Sequence, residues 1–173
     1  SGCYPRGVVC NKKGELFVAG EDSYCYKSVN GGASWSKAGS LNGTPLGITS
    51  DNNDYLYAAL EGTSGQVSRS TDNGASWTLV GAAGWGPENP QYNDPIVADN
   101  NGYLYMLMDK TEARMYWSTN LGMSWSHRGT PNNGAKGMGV SKNGYLLTSL
   151  DANGMSEAGI LAYSTNQGGG WNT

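Results

Sequence analysis

The stretch STDNGASW, from Ser70 to Trp77, is one of four near copies in this chain. The others are SVNGGASW from Ser28, STNLGMSW from Ser118 and STNQGGGW from Ser164. All fit the frame Ser-x-(Asp/Asn)-x-Gly-x-x-Trp, and their starts lie 42, 48 and 46 residues apart. A fixed motif at a near-constant period of this size points to a repeat architecture. Each residue type in the frame has a turn-forming reason. Asn30, Asp72, Asn120 and Asn166 can accept bonds from turn N–H groups. Gly32, Gly74, Gly122 and Gly168 permit positive φ. Ser28, Ser70, Ser118 and Ser164 can bond locally. Trp35, Trp77, Trp125 and Trp171 bury a large plate while the indole N–H finds an acceptor.

A second motif alternates with the first. It reads NKKGELF from Asn11, DNNDYLY from Asp51, DNNGYLY from Asp99 and SKNGYLL from Ser141. Short apolar runs flank it: GVVC, GITS, PIVA and GMGV before; ELFVAG, YLYAAL, YLYMLM and YLLTSL after. Two β-prone runs around an Asn/Asp/Gly turn read as a hairpin. The Ser-to-Trp box then joins a third run to a fourth. Each repeat is thus a meander of four antiparallel strands, A to D.

Strand B decides how the repeats pack. Leu16, Leu56, Leu104 and Leu146 point one way under period-two alternation. Phe17, Tyr57, Tyr105 and Leu147 point the other way and are also largely apolar. A sheet apolar on both faces must be covered on both faces. Blades of an all-β propeller meet that need, since each four-stranded sheet packs between two neighbours. The repeats divide residues 1–173 into one domain of four blades, near 4–39, 40–83, 84–130 and 131–173.

Composition agrees. Among 173 residues, 27 are Gly and 17 are Tyr or Trp, while charged residues make up only 14%. That is a profile of short strands and tight turns. The net charge of −3 and the scattering of 11 Lys and Arg leave no basic stripe for nucleic acid. No apolar run approaches the roughly 20 residues of a membrane span. Cys3, Cys10 and Cys25 permit three free thiols or one bridge. If a bridge forms, strand direction favours Cys3–Cys25, since Cys10 falls at the opposite end of blade one.

The box resembles the Asp-box (BNR) repeat, and with the intervening turns the resemblance covers nearly the whole chain. Families bearing that repeat include sialidases, xyloglucan-active glycosidases, sortilin-type receptors and a photosystem assembly factor. The resemblance implies a β-propeller, commonly of six or more blades, with the boxes on the periphery and away from the ligand face. It therefore implies a structural role for the boxes. Asn30, Asn120 and Asn166 stand where the family has Asp, which a turn tolerates and a metal site would not favour. Because the fourth box ends at Trp171, little remains for its strand D. Further blades, from a parent chain or another subunit, are expected.

If A–B turns and boxes share one end of the blades, the B–C and D–A loops share the other. Function usually lives where the scaffold is irregular, so the loop end holds the candidates. Seven residues after the turn positions Gly14, Asp54, Gly102 and Gly144 lie Glu21, Glu61, Asp109 and Asp151. They offer a ring of carboxylates for sugar hydroxyls or a cation, or else acceptors for loop N–H groups. No cofactor is expected, and Ca²⁺ is the ion these oxygens would suit. At the start of strand A lie Arg6, Leu46, Asp94 and Lys136. Of these, Arg6, Asp94 and Lys136 suit a carboxylate-bearing or hydroxylated ligand, or an internal salt bridge across the channel. Trp85 and Tyr92, in the loop GAAGWGPENPQYNDP, offer aromatic platforms for sugars or a local plug.

An enzyme of the sialidase type would show an arginine triad. CYPRGVV is similar to the family's Phe/Tyr-Arg-Ile-Pro start, but Arg6 is displaced, Arg69 abuts a box, and Arg114 and Arg128 lack a motif context. His127 is the only histidine and lies on an outer strand, which disfavours His-based catalysis and zinc. A two-carboxylate glycosidase stays open. The leading expectation is a non-catalytic extracellular or surface module, on a cell or virion, that binds a glycan or protein partner through its loop end. A glycoside hydrolase and a building block of a larger fibre are the alternatives.

Overall fold

The computed structural model describes residues 3–62, 65–82, 96–108, 114–131, 135–150 and 161–173, with Ala82 and Lys136 described for backbone only. Candidates Trp85, Tyr92, Asp94, Asp109 and Asp151 lie outside the described residues. Blade one is a meander of β1 (Pro5–Cys10), β2 (Leu16–Gly20), β3 (Tyr24–Ser28) and β4 (Ser36–Ser40). Blade two repeats it with β5 (Pro45–Ser50), β6 (Leu56–Leu60), β7 (Gln66–Ser70) and β8 (Thr78–Ala82). Blade three comprises β9 (Ile96–Ala98), β10 (Leu104–Met108), β11 (Arg114–Ser118) and β12 (Ser126–Gly129). Blade four comprises β13 (Ala135–Val140), β14 (Leu146–Leu150) and β15 (Leu161–Ser164), with a bridge from Tyr163 to Asn172 in the place of a fourth strand. The array is a four-blade β-propeller, and no helix occurs among the described residues.

The first strands of the blades are innermost: β1 packs on β5, β5 on β9 and β9 on β13. Between blades the strand-B alternation seen in the sequence becomes a set of sealed junctions. Phe17, Ala19 and Cys25 pack against Ile48, Leu56 and Ala58. Tyr57, Ala59 and Val67 meet Ile96, Leu104 and Met106. Tyr105, Leu107 and Met115 meet Met138 and Leu146. Fully burying side chains of this size stabilises by about 1.5–3 kcal/mol each, so the junctions carry the fold.

Turn chemistry fixes the ends of the blades. In the box, the Ser hydroxyl donates to the Asp/Asn side chain and accepts the Gly N–H, as with Ser70 to Asp72 at 2.8 Å and Gly74 to Ser70 at 2.9 Å. The Asp72 carboxylate accepts Ser76 N–H at 2.8 Å and Ser76 O–H at 2.5 Å. These bonds hold Asp72 below the usual carboxylate range, the Ser76 hydroxyl contributing most. The Gly backbone is left-handed in all four boxes, and so is the residue before it, including Leu121 at φ 60°. The indole N–H donates to the box Gly carbonyl in Trp35, Trp77 and Trp125, but Trp171 Nε1 has no partner. Trp35 also departs from expectation, being 42% exposed where Trp77 is buried. Trp77 owes its burial to the core it shares with Phe17 of the preceding blade.

The local bonding alone would make the boxes self-sufficient, but they also depend on the neighbouring blade. Four residues after the box Trp, strand D carries Gly39, Gly81 or Gly129, and the next blade's box lies against it. A Cβ on Gly39 would stand 2.6 Å from the carbonyl oxygens of Gly74 and Ala75. One on Gly81 or Gly129 would be closer still to the carbonyl of Gly122 or Gly168. Arginines add bonds across the same seam: Arg69 donates to Leu121 O at 3.2 Å, and Arg128 to Asn166 O at 3.2 Å and Gln167 O at 3.3 Å.

The A–B turns are closed by their first residue. Asp51 accepts the N–H groups of Asn53 and Tyr55, and its second oxygen accepts the hydroxyl of the buried Tyr57 at 3.0 Å. Asp99 does the same with Asn101, Tyr103 and Tyr105. Burial, with the neighbouring carboxylate, pushes both tyrosine hydroxyls well above their ordinary range, so they remain donors.

These contacts set expectations for three variants. Gly81→Ala should lower stability by on the order of 1–3 kcal/mol, through overpacking and a positive φ of 44°. Gly139→Ala, with open space around it, should be near neutral in the same thermal unfolding experiment. Tyr57→Phe should cost about 1–3 kcal/mol in urea unfolding, because it strips a buried Asp51 oxygen of its donor.

Candidate functional site

Antiparallel pairing puts the A–B turns and boxes at one end of the blades and the B–C and D–A loops at the other. At the loop end, strand A does not run straight. Its register with strand B slips between Pro5 and Gly7, between Pro45 and Gly47, and between Ala135 and Gly137. The extra residue is Arg6, Leu46 or Lys136. These are the positions singled out in the sequence at the start of strand A, and the structure makes each one a β-bulge. A bulge re-aims its residue and is a recurrent device beside functional sites. The signal in the sequence was the glycine following each one, Gly7, Gly47 and Gly137, which pattern reading passed over.

In blade one the bulge brings two candidate positions together. Arg6 Nη2 donates to Glu21 Oε1 at 2.6 Å, both side chains being partly exposed. The salt bridge is within one blade and does not cross the channel. Arg6 Nε is shielded and has no partner, and Nη1 makes no hydrogen bond among the described residues. The pair therefore presents guanidinium donors and carboxylate acceptor oxygens side by side. Glu61 is exposed, with no side-chain hydrogen bond among the described residues. The backbone N–H groups of Glu21 and Glu61 bond to the carbonyls of Tyr4 and Thr44, which ties the B–C loop to the segment preceding strand A. Among the described residues the carboxylates themselves are not used for that purpose.

A second polar cluster lies beside this pair on blade one. Asp22 accepts the Tyr26 hydroxyl at 2.7 Å and the Cys3 thiol at 3.2 Å, with Lys37 Nζ at 3.6 Å. The Tyr26 bond leads in holding Asp22 below the usual carboxylate range, and the same bond pushes Tyr26 up to about 12. Sequence reading gave this cluster no role.

All three cysteines are free, the first of the two alternatives left open by the sequence, and the conditional Cys3–Cys25 bridge is not formed. Cys25 faces the junction core with Phe17 and Leu56, whereas Cys3 is exposed beside Asp22. The strand alternation sends the two sulfurs to opposite sides of the sheet. Burial pushes the Cys25 thiol up to about 12.

Two clefts lined by described residues add no catalytic groups. One of about 660 Å³, between Gly129–Pro131 and Gly169–Thr173, is lined by no titratable side chain. Another of about 290 Å³ lies at the turn end by Asp54 and Asp72, whose carboxylates already accept bonds from Lys12 N–H and Ser76. Among the described residues no three His, Cys, Asp or Glu cluster in a way that suits a metal ion. His127 stacks edge-on against Tyr116, with ring centroids 5.3 Å apart. No described helix is long and apolar enough to cross a membrane.

No family model and no curated protein matches the sequence. Solved structures do match over nearly the whole chain. A GH74 enzyme of Niastella koreensis is similar with a TM-score of 0.70 and 26% identity, over 98% of this chain and 24% of that one. A YCF48 bound to a D1 peptide has a TM-score of 0.62 at 17% identity, over 99% of this chain and 53% of that one. The Hadza microbial sialidase Hz136 has a TM-score of 0.68 at 15% identity, over 97% of this chain and 45% of that one. The class defined by fold and comparison is thus the β-propeller shared by glycoside hydrolases, a sialidase and YCF48. The chain spans about a quarter to a half of those relatives' length.

The thiol environments give a direct test. With Ellman's reagent at pH 8, Cys3 and Cys10 should react in the native protein and Cys25 only after denaturation, since burial withholds its thiolate. Two fast thiols and a third released by guanidinium are the expected count.

Proposed function

We propose that this chain is a non-catalytic binding module that recognises a glycan or protein partner through the loop end of its blades. The single observation that carries the reading is the bulge of strand A, which turns Arg6 out beside Glu21 at that end. Paired donors and acceptors on a rigid strand suit hydroxyl pairs of a sugar or the backbone and side chains of a peptide. Lys136 shares the bulge register, and Glu61 the register of Glu21. The sequence candidates Asp94, Asp109, Asp151, Trp85 and Tyr92 belong to the same proposal. The YCF48 neighbour, bound to a peptide, supports protein recognition by this architecture.

The same reading takes the four Ser-to-Trp turns as Asp boxes with a structural role. Their side chains are spent on turn bonds and on the seam between blades, which leaves little for a ligand. A secreted or surface location accords with such a module. Glycoside hydrolysis is the second reading, favoured by the 26% identity with the GH74 enzyme. It needs two carboxylates across a cleft. Arg6 already holds Glu21, and neither cleft offers a free carboxylate pair.

A glycan array and a peptide-display screen should yield a ligand whose affinity falls on the order of tenfold or more in Arg6→Ala, by loss of a charge-assisted bond. The thermal midpoint should barely change, because the pair is partly exposed. A parallel hydrolysis screen should show no turnover. Turnover abolished by Glu21→Gln or Glu61→Gln would replace this reading with the second.

A further inference from the structure

Every junction inside the array joins the same two faces of a blade. The leading face carries Phe17, Tyr57 or Tyr105, and the trailing face of the next blade carries Leu56, Leu104 or Leu146. Blade four has a leading face too, made of Tyr145, Leu147, Leu161 and Tyr163, and all four are exposed. Leu147 is 38% exposed, while Phe17, Tyr57 and Tyr105, at the same register, are 0%. Blade one has the matching trailing face, with Val8 at its centre. Val8 is 63% exposed, while Ile48, Ile96 and Met138, at the same register, are 4%, 2% and 8% exposed. The chain thus holds one unmatched half of each kind.

A polar relay ends in the same way. The second residue of each A–B turn reaches the carbonyl of its counterpart in the next blade. Lys12 Nζ donates to Asn52 O at 2.8 Å, Asn52 Nδ2 to Asn100 O, and Asn100 Nδ2 to Lys142 O at 2.7 Å. At the end of the relay, Lys142 has an ammonium group with no acceptor among the described residues. At its start, the Lys12 carbonyl has no such donor. Apolar register and hydrogen-bond direction both mark blade four as the donor side and blade one as the acceptor side.

We propose that these two faces dock a second copy of this chain, head to tail, so that two four-blade arrays close one eight-blade ring. A second copy supplies both missing halves at once and repeats the junction already present three times within the chain. The ring has a two-fold axis along its channel, with the heterologous junction occurring twice and no face left open. In this arrangement Lys142 of each copy donates to the Lys12 carbonyl of the other. The loop end of all eight blades then lies on one side.

Light scattering coupled to size exclusion tests this on the whole 173-residue chain. The expected mass is twice the 18.3 kDa of one chain. Val8→Asp and Leu147→Asp each place a charge in both ring junctions and should give single chains. Both residues are exposed in the single array, so the β-type circular dichroism of each variant should be unchanged. An equimolar mixture of the two variants should recover a two-chain species, because one unmodified leading face meets one unmodified trailing face. A native protein of single-chain mass at every concentration overturns the proposal and assigns the faces to other blades. A two-chain species that neither variant disrupts, or an open ladder of masses, overturns it as well.

Discussion

Each sheet of this chain is apolar on both faces, and the burial of those faces against neighbouring sheets is the constraint on which everything else rests. A four-stranded meander of this size cannot shield both sides alone. Stacking solves the problem by sealing Phe17 against Leu56, Tyr57 against Leu104 and Tyr105 against Leu146. Bringing the axial strands together at one edge turns the stack into a propeller.

Close stacking places demands on the outer edge. The box turns project towards the preceding blade, and their carbonyls need space that no side chain may fill. Gly39, Gly81 and Gly129 provide it, and Arg69 and Arg128 satisfy carbonyls that would otherwise face the seam unpaired. The box therefore has two jobs. It closes its own hairpin through Ser, Asp or Asn, and it keys one blade to the next through backbone oxygens. At the inner edge, the Asp51–Tyr57 and Asp99–Tyr105 bonds connect the A–B turns to the same buried layer. Turn geometry and junction packing are consequently coupled.

This division of labour leaves the opposite end of the blades free. There the strands end in bulges and in loops of unequal length, and the residues are not held by the repeat. Arg6 differs in kind from Leu46 at the same register, so that Glu21 has a cation beside it where Glu61 has none, which is how one scaffold position acquires different chemistry from blade to blade. The repeat constrains what lies between blades and at the turn end. The loop end is where it tolerates variety.

The strand order, the hairpin turns and the two-faced burial of strand B were legible in the sequence, because each rests on local chemistry repeated at a fixed period. The Leu16-type and Phe17-type positions alternate at period two, and the Ser-to-Trp frame carries its own hydrogen-bonding logic. Contacts between repeats were not legible in that way. Nothing local marks Gly81 as the seat for the Gly122 carbonyl, or Asn52 as a donor to Asn100, since those partners lie in another blade. The pairing of Arg6 with Glu21 likewise required the bulge, an offset of one residue that only the register of two strands reveals. The separation of Cys3 from Cys25 has the same cause, because a shared end of a blade does not specify which side of the sheet a sulfur occupies. The sequence by itself determined the blade, through alternation and turn chemistry. The tertiary structure decided which faces meet and which side chains are left to act, because those depend on distances between residues that no single repeat contains.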